Sequence, residues 1–417
     1  MKVTLLNHSD TLGGASVVTF RLMQALQKQG VDARMLVLGK SRSNESVEQV
    51  CGRHRRNYAF LSERLGIFLR NGLSKANLFK VSTASHGVPV ASHQLVKDAD
   101  VIVINWINQG MMSLDEIERV AQLGKPLVWI MHDMWCLTGV CHHALECDGY
   151  KGQCGHCQFV KEGGKEKDLS HKTWLRKQVL YQNTNIHFVP VSNWLAMKAR
   201  ESSLLKDAEI SVIHNAFPVE SYFTTPSITM EALDLPKNKK LILMGAARLD
   251  DPIKGFEYAI DALNLYAQNF PQQAEMSEAV FFGDIRDASL LERIRMPYRH
   301  IGRINDSKVI RQLYASSHVV ISTSLYETLP GTLIEGQAAG CVPVSFGMGG
   351  QRDIIDHKVN GYIAEYKSPQ SIAEGIAWAI SLAPDREMLH KSVQERFAAE
   401  VIANKHIELY NSLISRR

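Results

Sequence analysis

The sequence predicts an α/β protein built from two Rossmann-like, doubly wound domains facing one another across a cleft. Three observations predict this. At 417 residues the chain exceeds one ordinary core and divides into two domains of about 200 residues each. Short apolar runs such as Val101-Ile102-Val103-Ile104 lack alternation, as parallel strands buried on both faces do. Each run leads through a Gly- or Asn-containing loop into a helical segment, the rhythm of doubly wound sheets.

Taken in order, the strand candidates of the first half are residues 3–6, 33–38, 101–105, 127–131 and 187–191, closing with 210–215. Those of the second half are 240–244, 279–282, 319–322 and 342–346. The pattern stops and restarts across 216–236, where Pro218, Pro226 and Pro236 stand among Ser and Thr, so the domain boundary is expected there. The first domain is placed at 1–215 and the second at 216–392. The carboxyl ends of both sheets are where ligands are expected to bind.

The bulk numbers narrow the function. Hydrophobic residues at 45% and charged ones at 22% are those of a soluble globular protein. With 47 basic and 43 acidic residues the net charge of +4 is too even to argue for nucleic acid. The stretch Met1-Lys2-Val3-Thr4-Leu5-Leu6-Asn7 reads as a first strand and is too short in apolar residues for a signal peptide. No run reaches the ~18 apolar residues of a membrane span. A cytoplasmic protein is therefore expected.

Glu327-Thr328-Leu329-Pro330-Gly331-Thr332-Leu333-Ile334-Glu335 follows a strand and enters a helix. With Thr332 as its cap, that helix would offer first-turn N–H groups, and its dipole, to an anion. The two carboxylates are spaced so that one can reach sugar hydroxyls and the other ribose hydroxyls. Gly245-Ala246-Ala247-Arg248 closes a strand and Lys254-Gly255 opens the next helix. Arg supplies a planar fork for two oxygens and Lys a point charge, so the pair favours a phosphate group. Leu12-Gly13-Gly14-Ala15-Ser16 links the first strand to a helix, with glycines that permit close backbone approach. The run Gly347-Met348-Gly349-Gly350 lacks the spacing and position of a dinucleotide fingerprint and is discounted.

These landmarks resemble glycosyltransferase family 4, a GT-B family, through its Glu-x7-Glu motif at Glu327 and Glu335. The resemblance is strongest over residues 101–157 and 240–366. It implies a retaining transferase taking a sugar from a nucleotide-sugar to a saccharide or lipid-linked acceptor, in surface polysaccharide synthesis. Arg248 and Lys254 would hold the donor diphosphate, Glu327 with the Leu329, Pro330, Gly331 and Thr332 backbone the sugar, and Glu335 the ribose. His300-Ile301-Gly302-Arg303-Ile304 matches the segment that meets the base through Arg303 and Ile304, expected to be uracil, with guanine as the alternative. Val212-Ile213-His214-Asn215-Ala216 matches the family's V-I-x-N-G, with Ala216 in place of the common Gly. Met131-His132-Asp133-Met134-Trp135 resembles its H-D-x-W motif, so His132 would bond a donor-sugar hydroxyl while Asp133 orients it or fixes the turn. Gly13 and Gly14 would lie against the donor phosphates. A C-terminal helix within 393–417 would pack back on the first domain. Catalysis would need no cofactor.

Five of the seven cysteines lie between Cys136 and Cys157. Cys141, Cys147, Cys154 and Cys157, inside an insertion at 136–160, suggest a tetrahedral structural zinc, with His142, His143 or His156 able to replace a thiolate. Unligated thiols are the alternative. Arg53, Arg55, Arg56, Arg64 and Arg70 accompany Tyr58, Leu61, Leu65, Phe68 and Leu69 near helical spacing. Such a segment can lie peripherally on an anionic inner-membrane surface or be an ordinary helix with a solvated charged face. Competing readings are a nucleotide-sugar epimerase, a glycogen-synthase-like polymerase and, as a non-enzyme, a zinc-containing nucleic-acid-binding protein.

Overall fold

The computed structural model describes residues 1–160, 165–223, 233–382 and 385–416. It divides into two compact units, Met1–Ala216 with Ala399–Arg417, and Phe217–Ala398. Part of the expected connecting stretch, 224–232 with Pro226, lies outside the described residues.

The first unit holds strands β1 (Lys2–Ser9), β2 (Asp32–Gly39), β3 (Val47–Gln49), β4 (Val101–Ile104), β5 (Leu127–Met131) and β6 (Ile186–Pro190). They form one parallel sheet in the order β3-β2-β1-β4-β5-β6. The second holds β7 (Lys240–Arg248), β8 (Ser277–Asp284), β9 (Tyr298–Gly302), β10 (Val319–Ser322), β11 (Val342–Phe346) and β12 (Tyr362–Ala364). Its order, β12-β11-β10-β7-β8-β9, is the same topology, and all its pairs are parallel. In each sheet the winding reverses beside the unit's first strand, between β1 and β4 and between β7 and β10. That switch point leaves a crevice at the carboxyl ends of the strands.

The central strands are apolar because helices cover both faces: every residue of β4, β5, β10 and β11 is buried, as is every residue of β6 at the edge of the first sheet. The expected strand at 210–215 does not form. Ile210 makes a single bridge to Phe188, and Ile213 donates to the Pro190 carbonyl. The expected C-terminal helix is two helices, Arg386–Phe397 and Ala399–Ser415, broken at Ala398. The second packs on the Gly13–Lys28 helix with Ile402, Ala403, His406 and Tyr410 buried.

Candidate active site

At the β7–β10 switch point of the second unit, three loops meet. Arg248 ends β7 in register with Asp284 of β8. Behind it, Leu249 N–H donates to the Asp284 carbonyl (2.8 Å), and Asp250 accepts from the N–H groups of Arg286 and Asp287 at 2.9 and 3.0 Å. Burial would raise the Asp250 carboxyl, but those N–H groups and Arg248 outweigh it and hold the carboxyl below its usual range. The Arg248 guanidinium lies 3.1 Å from Asp251 Oδ2 and 3.4 Å from Asp250 Oδ1, yet its buried Nε has no hydrogen-bond partner. It is thus aimed but not saturated.

Lys254 ends the short Pro252–Lys254 turn, which Gly255 closes at φ +61°. A Cβ at Gly255 would overlap the Thr323 carbonyl, so glycine lets this turn press on the exit of β10. Thr323 Oγ1 donates to the Lys254 carbonyl (3.2 Å), and Leu325 N–H donates to Ile253 (2.8 Å). Stitched this way, the loops bring Lys254 Nζ onto Glu327 Oε1 in an ion pair. Burial would lower the Lys254 ammonium, and the Glu327 carboxylate overrides it, so Lys254 is held above its usual value and stays charged.

The Glu327 loop is fixed from its other side. Gly350 N–H donates to the Glu327 carbonyl (3.1 Å), and Gly349, at φ +124°, leaves room for that oxygen. This is the role of the Gly347–Gly350 run that was discounted as a nucleotide fingerprint, and its signal was the clustering of glycines. The helix Gly331–Ala338 starts after Pro330, and no side chain caps it. Thr332 therefore sits inside the first turn and is not the cap. Pro330 occupies that position, with a fixed φ of −73° suited to helix entry. Leu329 and Pro330 are buried, and Gly331, Thr332 and Glu335 are half-buried. Glu335 stands one turn into this helix, where its field adds to the burial that pushes the Tyr314 hydroxyl well up.

Beyond Gly302, at φ +80°, Arg303 is 65% exposed, within 3.3 Å of Asp284 Oδ2, the carboxylate in register with Arg248. Ile304 is half-buried beside it. The structure thus brings Arg248, Lys254 and Glu327 to one switch point, with Arg303 beside them at the sheet's carboxyl edge.

In the first unit, Gly13 adopts φ +82° and opens the Gly13–Lys28 helix, whose N-terminus has no side-chain cap. Nothing lies within 4 Å of where a Cβ would stand on Gly13 or Gly14. His132 follows β5, and its Nε2 lies 3.0 Å from Asn105 Oδ1 at the end of β4. Asp133 takes the second of its two expected roles and fixes the turn, its Oδ1 accepting from the N–H two residues on. It accepts from Trp106 Nε1 (3.0 Å), the Trp135 N–H (2.8 Å) and His142 Nδ1 (2.7 Å). Burial would raise Asp133, but His142 prevails and draws it to about 2. Asn105 was missed because it lies 27 residues away in the chain and meets His132 only through the β4–β5 pairing. Burial draws His132 down to about 4 against the opposing Asp133 charge, so its ring is neutral at pH 7. His132, Asn105, His214, Ala216 and His406 line a cavity with room for about one water. Ala216 has no positive φ, so the turn there does not need the family's glycine.

In the insertion, Cys141, Cys154 and Cys157 are buried and Cys147 is exposed. Gly139 N–H donates to Cys154 Sγ at 3.2 Å and Gly149 N–H to Cys147 Sγ at 3.4 Å. Burial, then the neighbouring thiols, push Cys141 up to about 12, and burial with Asp168 and those thiols pushes Cys157 to about 11. The donor set is zinc-like in chemistry. Among the described residues, however, no three His, Cys, Asp or Glu side chains are arranged to hold a metal ion. His142 is engaged by Asp133 and, at 3.2 Å, by Ser82.

Residues 228–396 match the family model for glycosyl transferases group 1. An uncharacterized glycosyltransferase of Methanocaldococcus jannaschii is 31% identical over 167 residues, 38% of this chain and 41% of that one. The match thus spans about two-fifths of that relative. Among solved structures, a glycosyltransferase from Rickettsia africae aligns over 100% of this chain and 99% of its own, with a TM-score of 0.66 at 15% identity. Anabaena HepE in complex with UDP aligns over 99% and 100%, with a TM-score of 0.62 at 19% identity. At these identities the likeness carries the fold. The two six-stranded parallel sheets are those of a GT-B protein, as the sequence predicts.

Proposed function

We propose that this protein is a retaining glycosyltransferase that moves a hexose from a nucleotide-sugar, UDP-linked, to a saccharide or lipid-linked saccharide in surface polysaccharide synthesis. The observation that carries the reading is the Arg248–Lys254–Glu327 constellation at the β7–β10 switch point. The group 1 match over residues 228–396 and the UDP bound by the structural relative support it.

In this reading Arg248 and Lys254 clamp the departing diphosphate and stabilise the charge it develops, the larger part of the catalytic task. The uncapped first turn of the Gly331–Ala338 helix adds N–H groups and its dipole. Glu327, with the Leu329–Thr332 backbone, orients the sugar, and Glu335 reads the ribose. Arg303 and Ile304 meet the base. Lys254 exchanges the Glu327 carboxylate for phosphate oxygens as the donor arrives. The neutral ring of His132 offers a hydrogen bond to a sugar hydroxyl without adding charge, and Gly13 and Gly14 leave space for close approach. No side chain here is assigned as a nucleophile. A leaving diphosphate oxygen takes the acceptor's proton as the new glycosidic bond forms on the same face.

A structural zinc on Cys141, Cys147, Cys154 and Cys157 belongs to the same proposal, supported by the Gly139 and Gly149 N–H groups that donate to Cys154 and Cys147 Sγ. It would require the four sulfurs to draw closer together. The activity is tested by incubating the protein with a panel of UDP- and GDP-sugars, with and without oligosaccharide and lipid-linked acceptors. Acceptor-dependent UDP release supports transfer, whereas sugar and UDP released without acceptor would make it an epimerase.

A further inference from the structure

We propose that the outer face of the Arg53–Arg70 helix, with the turn that follows it, seats this protein on an anionic lipid bilayer. Tyr58, Leu61, Leu65 and Leu69 recur at the spacing of a single helical stripe, and the turn after the helix carries Leu73 and Phe79, whose ring stacks on Phe60 at 6.4 Å. All six are between 55% and 70% exposed. Single exposed leucines are ordinary, but an unbroken stripe of this kind is not.

The helix is held from its inner face, so its outer one is left over by design of the packing. Ala59, Glu63, Arg64 and Ile67 are buried. Glu63 Oε1 accepts from the N–H groups of Thr83 (3.1 Å) and Ala84 (2.9 Å), and its Oε2 lies 3.0 Å from Arg64. Arg64 Nη1 also donates to the Leu78 and Val81 carbonyls at 2.5 and 3.2 Å, which anchors the following turn. Gly110 fits against the backbone of Ala59 and Phe60, where a Cβ would collide.

Charge decides the occupant. Residues 51–80 contain Arg53, Arg55, Arg56, Arg64, Arg70, Lys75 and Lys80, against Glu63 as the single acidic residue, and that one is buried and paired. Arg53 and Arg55 in the first turn, Arg70 at the helix end, and Lys75 and Lys80 beyond it are exposed. A second copy of the chain would oppose like charges across a two-fold axis. A bilayer surface with anionic headgroups satisfies both halves of the face: the leucines enter the acyl boundary, Tyr58 sits at the interface, and the cations meet headgroups.

The test is co-sedimentation of the full-length protein with vesicles of phosphatidylcholine alone or with one-quarter phosphatidylglycerol. Binding is expected to the phosphatidylglycerol vesicles and to fall in 0.5 M salt. The variant Leu61→Gln/Leu65→Gln/Leu69→Gln should weaken it at least about ten-fold, and Arg53→Gln/Arg55→Gln about thirty-fold. Unchanged melting curves for both variants would show that the fold is intact. Failure to bind phosphatidylglycerol vesicles, or equal binding by wild type and both variants, would overturn the proposal. So would a dimer in light scattering that the leucine variant dissolves, since the face would then belong to a second copy.

Discussion

Gly349 and Glu327 are backbone partners: the glycine's φ of +124° leaves the Glu327 carbonyl the space that a Cβ would occupy. The adjacent Gly350 N–H grips the same oxygen. Gly349→Ala forces one of the two to move, at about 1–3 kcal/mol. A melting point lowered by several degrees is expected, together with weaker UDP-sugar binding, because Glu327 and Lys254 shift together. An unaltered melt and unaltered donor affinity would show that this clamp is not needed.

Lys254 carries the second prediction. A hydrogen bond to a charged group contributes ~1.5–3 kcal/mol, so Lys254→Ala should reduce kcat/KM roughly 10- to 150-fold. Lys254→Arg should recover only part of that, since a fork replaces a point charge. Wild-type transfer by purified Lys254→Ala would remove the donor site from this switch point.

Acid sensitivity is expected of the first unit. Burial draws His132 down to about 4 and His406 to about 3, against 6.5 for a solvated histidine. The unfolded chain therefore binds more protons than the native one as pH falls below 6.5, and the stability present above that value is lost on the way to pH 4. Each ring accounts for on the order of 3 kcal/mol over that window. The Nδ1 of His406 has no hydrogen-bond partner, so His406→Leu removes a protonation site at little cost in bonding. Thermal melts at pH 7 and pH 5 should show a smaller drop for His406→Leu than for wild type. Equal drops would place the acid sensitivity elsewhere.

Metal analysis of the purified protein by mass spectrometry is expected to find one zinc per chain, lost in Cys154→Ser/Cys157→Ser. Zinc-free protein with all seven thiols titratable on unfolding would favour unligated cysteines.

The parts of the fold legible in the sequence are those whose physics is local. Val101–Ile104 and Leu127–Met131 read as strands because burial on both faces demands continuous apolar residues. Three of the four edge strands carry no such demand, β6 being the buried exception. β9 presents Tyr298, Arg299 and His300 partly to solvent, and β3 and β12 are three residues each, so none of them stands out as a run. Arg248, Lys254 and Glu327 were legible because a strand end, a turn and a loop announce them in order. The bond between His132 and Asn105 was not, because it depends on which strands become neighbours. Thr332 misled for a local reason: Thr favours caps, but the preceding Pro330 already has the backbone angle for the position.

The first unit is discontinuous in the chain, its Ala399–Ser415 helix arriving after the whole of the second. On the ribosome, the Gly13–Lys28 helix must therefore wait for its partner until the last residues of that helix emerge, while residues 217–398 can complete their own core first. Until the Ala399–Ser415 helix docks, the first unit shows the apolar face that Ile402, Ala403 and Tyr410 cover. A chain stopped short of residue 399 would be caught at that stage, a ready substrate for chaperones and proteases.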